Sequence, residues 1–254
     1  MYHQGMGRTS DARNKILDAG RALIEQRGYS SLGVAEICAT AGVPKGSFYY
    51  FFESKQALAL AVIDDHWADQ QRQWDELLRS DRDPLSRLKD LFDATEQTQR
   101  AGQLKTGHVV GCLFGNLALE LSNQADEVRS RLQQIFDEQI DMIEQVVVEA
   151  RDAGQAGASV DAREAARSIV AQIEGRVLLA KLLSDPAQLE ALRQNSLDLL
   201  QTPAGPRGRA RRPPHDQRGA HRHDHDFDGG QRRRRVKRTQ YRQVSVDPPD
   251  VRKV

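Results

Sequence analysis

The segment VAEICATAGVPKGSFYYFF, residues 34–52, limits the fold more than any other part of the chain. Val34, Ile37, Cys38 and Ala41 recur at i, i+3, i+4 and i+7, one face of a short helix. Gly42 stops that helix, and Pro44 permits a new one to begin. A second short helix is therefore expected over about 45–51. Two short helices across so tight a turn, after a longer first helix, outline a helix-turn-helix. The longer helix is visible in Ile16, Ala19, Gly20 and Leu23, with Thr9 or Ser10 as its cap, Asp11 in its first turn and Gly28 at its end.

The rest of the apolar patterning is helical as well. Ser54 is an N-cap for a fourth helix to about Leu78, and Asp83-Pro84 opens a fifth. Further helices are expected over 107–122, 126–151 and 161–184, with a last one starting at Ser184-Asp185-Pro186. No β-type alternation occurs. The expectation is an all-α chain of about nine helices, with a three-helix head at 9–55, a helical body at 56–202 and a tail at 203–254.

Charge divides along the same boundaries. The net +1 of the chain conceals 15 Lys+Arg against 6 Asp from Pro203 onward. Residues 1–55 carry 7 basic and 5 acidic groups, which leaves about −10 on 56–202. Such asymmetry implies segments with different partners. The tail has no Leu or Ile and holds six of the nine prolines, so it is expected to be disordered. Its QRRRRVKR run, 231–238, would add salt-dependent affinity for any polyanion, and HRHDHD, 221–226, would hold a metal weakly. An unselected, read-through tail is the alternative.

Other classes find little support. Cys38 and Cys112 are too far apart to suggest a disulfide framework. The first residues carry no apolar signal region, and no run approaches a membrane span. A cytoplasmic protein without a cofactor or metal site is expected. No Gly-rich phosphate loop, HExxH or Gly-x-Ser-x-Gly is present, so an enzyme is not expected and no catalytic residues are assigned.

The second short helix carries five consecutive rings, Phe48 to Phe52. Phe48 and Phe52, four apart, belong to the core face. Lys45, Gly46, Ser47, Tyr49 and Tyr50, with Lys55 beyond, are left for double-stranded DNA: hydroxyls and ammonium groups for phosphates, and a glycine for close approach. Phe51 stays open.

GYSSLGVAEICATAGVPKGSFYYFFESKQAL resembles the DNA-binding signature of the TetR family of bacterial repressors through Gly28, Tyr29, Ala41, Gly42, Val43, Gly46, Tyr49, Phe52, Ser54 and Lys55. Leu32-Gly33 replaces the family's Thr or Ser cap, Pro44 a common Ser, and Phe51 a frequent His. The resemblance implies a homodimer that represses at a palindromic operator and is released by a small-molecule effector. It places Tyr49 and Lys55 on phosphates, and Lys45, Ser47 and Tyr50 nearest the base edges. It also implies that the last two helices form a bundle with their mates. An activator with the same head and a non-specific, tail-driven DNA binder are the alternatives.

GHVVGCLFGNLALELS, residues 107–122, is similar to a Gly-Cys-Leu-x-Gly-Asn-Leu segment of electrophile- and redox-responsive members. His108, Cys112 and Asn116 at i, i+4 and i+8 would share a helix face on the effector pocket. Cys112 would be open to modification if His108 or Lys181 supplied a cation. A small buried hydrophobe is the plainer reading of Cys112. Trp67, Phe92 and Phe114 are possible pocket walls, or core.

Overall fold

The computed structural model describes residues 5–201, with side chains from Asp11. The tail, its basic run and its His-rich run lie outside the described residues. Nine α-helices and no strand occur among the described residues. They are α1 (Gly5–Arg27), α2 (Val34–Ala41), α3 (Lys45–Phe51), α4 (Lys55–Leu78), α5 (Pro84–Thr106), α6 (Leu113–Leu121), α7 (Asp126–Asp152), α8 (Ala162–Leu183) and α9 (Leu192–Gln201).

Local chemistry sets most boundaries. The Ser54 hydroxyl accepts from the Ala57 N–H at 3.0 Å and starts α4. Asp83 accepts from the Ser86 N–H at 3.1 Å, with Pro84 as the first helical residue of α5. Asp161 caps α8 through the Glu164 N–H. Gly33 and Pro44 precede α2 and α3 without side-chain caps, so these short helices depend on packing.

Three expected boundaries are corrected. Helix α1 extends back to Gly5, so Thr9 and Ser10 lie within it rather than at its start. The stretch 107–122 is not one helix: residues 107–112 are a loop and α6 begins at Leu113. Gly111 has φ +84°, a left-handed backbone that breaks the helical path. The Gln99 side chain then holds both polar groups of Gly111, accepting from its N–H at 3.0 Å and donating to its carbonyl at 3.2 Å. The last helix is likewise divided, into a 3-10 turn at Pro186–Leu189 and then α9.

Two apolar cores result. One joins Ile16, Ile37, Phe48 and Phe52 of the head to Leu58, Val62 and Trp67 of α4, Phe114 and Leu117 of α6, and Val128 of α7. The other lies among α4, α5, α7, α8 and α9, with Leu88, Ile143, Ala166, Ile169 and Leu192 fully or almost fully buried. Each buried Leu, Ile or Phe side chain contributes roughly 1.5–3 kcal/mol. The head therefore shares its core with the body, across the boundary expected at residue 55. Arg87, buried, donates to the Leu78 carbonyl at 2.7 Å and pairs with Glu149, tying the end of α4 to α5 and α7.

Candidate DNA interface and effector cavity

Helix α3 sorts its rings by face. Phe48 is wholly buried and packs on Phe52, with ring centroids 5.8 Å apart. Phe52 is buried although it has left the helix for extended backbone. Tyr49 and Tyr50 are 57% and 75% exposed, high values for aromatic rings. Lys45 and Gly46 are exposed beside them, and open space surrounds the Gly46 backbone. Ser47 is half-buried. Phe51, also half-buried, stands edge-on to Tyr50 at 4.8 Å and is packed against the head core.

Lys55 is held differently from the other members of this set. Its ammonium donates to the carbonyls of Tyr29 at 3.1 Å and Leu32 at 3.0 Å, and sits 4.1 Å from the centre of the Tyr29 ring. It points into the α1–α2 loop and satisfies carbonyls there.

A cavity of about 730 Å³ opens in the body. Its wall combines Arg21 and Glu25 of α1, His66, Gln70 and Trp74 of α4, Thr95 and Gln99 of α5, Gly111–Leu113, Gln139 of α7 and Glu174 of α8. Of the three residues expected at an effector pocket, only Cys112 is in this wall. His108 is exposed on the loop, and Asn116 donates to the Val110 carbonyl at 3.5 Å. Because the loop replaces the expected helix, the three do not share a helical face. Trp67, Phe92 and Phe114 are buried core and are not in the wall; Trp74 is.

Cys112 is the N-cap of α6, its sulfur accepting from the Gly115 N–H at 3.4 Å. Burial, and then the neighbouring Glu174 carboxylate, push its thiol well above the usual range. Burial also raises Glu174, against the lowering effect of its hydrogen bond with the thiol. The stem of Lys181 lies against Gly111, but its ammonium is itself pushed down by burial. These surroundings disfavour the thiolate, the opposite of what activates a nucleophilic cysteine.

Sequence reasoning missed His66, Gln99, Gln139 and Glu174. Each lies on a helix where nothing local marks it, and only packing brings them together. His66 lies against Phe114, with ring centroids 5.1 Å apart and planes tilted by 56°, and its Nδ1 is buried with no hydrogen-bond partner among the described residues. Burial and then Arg21 push its pKa from 6.5 down to about 4, with Asp69 pulling the other way. Between these values the unfolded chain takes up a proton that the folded chain refuses, so stability is full above pH 6.5 and falls as pH drops toward about 4. Urea unfolding across this window should show a shallower pH slope for His66→Gln than for wild type; equal slopes would remove His66 from the account.

A helix-turn-helix head with an exposed second short helix, on a helical body that holds a cavity, has the architecture of a DNA-binding transcriptional regulator. Comparison with known proteins specifies the class. A family model for "Bacterial regulatory proteins, tetR family" matches residues 16–62, and one for "Tetracyclin repressor-like, C-terminal domain" matches 84–196. The chain is 32% identical over 195 residues to an uncharacterized HTH-type transcriptional regulator of Lactococcus lactis, covering 76% of this chain and 92% of that one. It is 33% identical over 178 residues to the HTH-type transcriptional repressor DhaR of Mycobacterium sp. strain GP1, covering 70% and 85%. Among solved structures, a TetR regulatory protein from Rhodobacter sphaeroides superposes with a TM-score of 0.69 at 31% identity, covering 74% of this chain and 98% of that one. The chain belongs to the TetR family. None of its described helices is long and apolar enough to cross a membrane.

Proposed function

We propose that this chain is a repressor that binds a palindromic operator as a homodimer and is released when a small organic molecule enters the body cavity. The observation that carries this reading is the cavity wall itself: α1 of the head and the start of α6 both contribute to it. A molecule seated there touches the element that carries the head. The similarity to a named repressor, DhaR, supports the sign of regulation. An operator that activates instead of represses would reverse the sign without changing the head.

In this reading Tyr49 reaches phosphates, and Lys45, Gly46, Ser47 and Tyr50 approach the base edges. Lys55 acts indirectly, by holding the loop that leads into α2. Dimerisation uses α8 and α9, where Leu178, Leu179, Leu182, Leu183 and Leu199 are exposed. Such a stripe is costly in water, and a second copy would cover it. In this reading the effector binds without a covalent bond, since burial and the Glu174 carboxylate both disfavour the thiolate of Cys112.

Selection of bound duplexes from a random pool tests the proposal. The expected product is a two-fold symmetric site with half-sites about one helical turn or a multiple apart. Binding without sequence preference, whose salt-dependent strength vanishes when residues 203–254 are removed, would leave the tail-driven alternative in its place.

A further inference from the structure

Helix α6 touches both the cavity and the reading head. Its N-cap Cys112 is in the cavity wall, and Glu120 lies in its last turn. The Glu120 carboxylate accepts from the backbone N–H groups of Tyr29 at 3.2 Å and Ser30 at 2.9 Å, some 90 residues away in sequence. Gly28 is required beside it: its φ is +77°, and a Cβ there would lie 2.5 Å from Glu120 Oε1. The same loop is gripped through its carbonyls by Lys55.

A carboxylate at this position opposes the negative end of the helix dipole. Glu120 therefore sits where the helix itself does not favour it, and its partners are in the head. Residues that break a local rule in this way mark functional positions. At the other end of the helix, Gly111 is pinned by Gln99 and packed against Lys181. Lys181 feels the charge of Glu120, which works against the lowering by burial. A molecule that displaces Gly111–Leu113 would shift a single short helix, and with it the carboxylate that holds Tyr29 and Ser30.

We infer that Glu120 is the positioning residue through which cavity occupancy reaches the DNA-reading head, by holding or releasing the α1–α2 loop. This rests on the operator-binding reading above. Glu120 touches neither DNA nor effector; it sets where α2 and α3 stand.

The test uses the full chain and its selected operator, with hydrogen–deuterium exchange and operator affinity measured on wild type, Glu120→Ala and Glu120→Gln. Exchange at Tyr29 and Ser30 should quicken by roughly tenfold in Glu120→Ala, with a smaller change in Glu120→Gln, which keeps one acceptor oxygen. Operator affinity should fall by roughly tenfold in Glu120→Ala, within the usual range of site-to-site coupling, while the melting temperature stays within a few degrees. Linkage is reciprocal, so operator binding should alter exchange over residues 111–116 in wild type and lose that effect in Glu120→Ala. A merely structural contact would not carry this second effect. An equal effect in both proteins, no effect in wild type, or unchanged exchange at the loop would each overturn the inference. If wild type selects no operator, the proposed function fails and takes this inference with it; sequence-specific wild-type binding with an unaltered Glu120→Ala profile removes this inference alone.

Discussion

Phe48→Ala is expected to lower the unfolding free energy by about 3–5 kcal/mol, the usual cost of emptying a fully buried aromatic site. The ring has no exposed surface and packs edge-on to Tyr49 at 5.3 Å as well as against Phe52. It is the one fully buried side chain of a seven-residue helix that has no side-chain cap. On α3 only the half-buried Phe51 also packs against this core. Typical domains are stable by only about 5–15 kcal/mol, so the loss is a large share of the total. Because the head shares its core with α4, α6 and α7, the damage should register as a lower midpoint for the body in urea or thermal unfolding. A change below about 1 kcal/mol would mean that α3 does not depend on this ring.

Tyr49→Ala, one residue on, is expected to leave stability nearly untouched and to weaken operator binding strongly. Its ring is mostly in solvent, so truncation loses little burial beyond the edge contact with Phe48. On DNA, a lost side-chain contact costs roughly 1–3 kcal/mol. A homodimer loses it twice, roughly 2–6 kcal/mol, which is a weakening of about 30-fold or more. Gel shift against the selected operator measures this, with circular dichroism and sedimentation as controls. Wild-type affinity would remove Tyr49 from the interface. The two neighbours thus separate folding from reading: one fails without unfolding and the other fails by unfolding.

These opposite outcomes follow from a pattern that the sequence already contained. Phe48 and Phe52 are four apart, and their burial follows from that spacing alone. Helices α2 to α5 could be delimited because Gly42, Pro44, Ser54, Asp83 and Pro84 act on their immediate neighbours. Where structure departs from expectation, distant groups decide. Apolar spacing through Val110, Leu113, Leu117 and Leu121 reads as one helix, yet Gln99 claims the Gly111 peptide and the helix starts later. Leu189, Leu192 and Leu199 read as one face, yet it spans a 3-10 turn and α9. Lys55 looks like a phosphate ligand, but carbonyls 23 and 26 residues earlier hold its ammonium. The cavity was the least legible part, because its wall is drawn from α1, α4, α5, α7 and α8 as well as the loop before α6.

The shortness of α6 has an evolutionary consequence. At about 1.5 Å per residue, its nine residues place the cavity end and the loop-gripping end only about 13 Å apart. The route between them involves few side chains. Most of the cavity wall comes from other helices and takes no part in that route. On the proposed relay, such a wall could be re-lined for new chemicals, one substitution at a time, without altering the connection to the head. A short connection of this proposed kind, under a broad, replaceable wall, would let one DNA-reading head serve many senses.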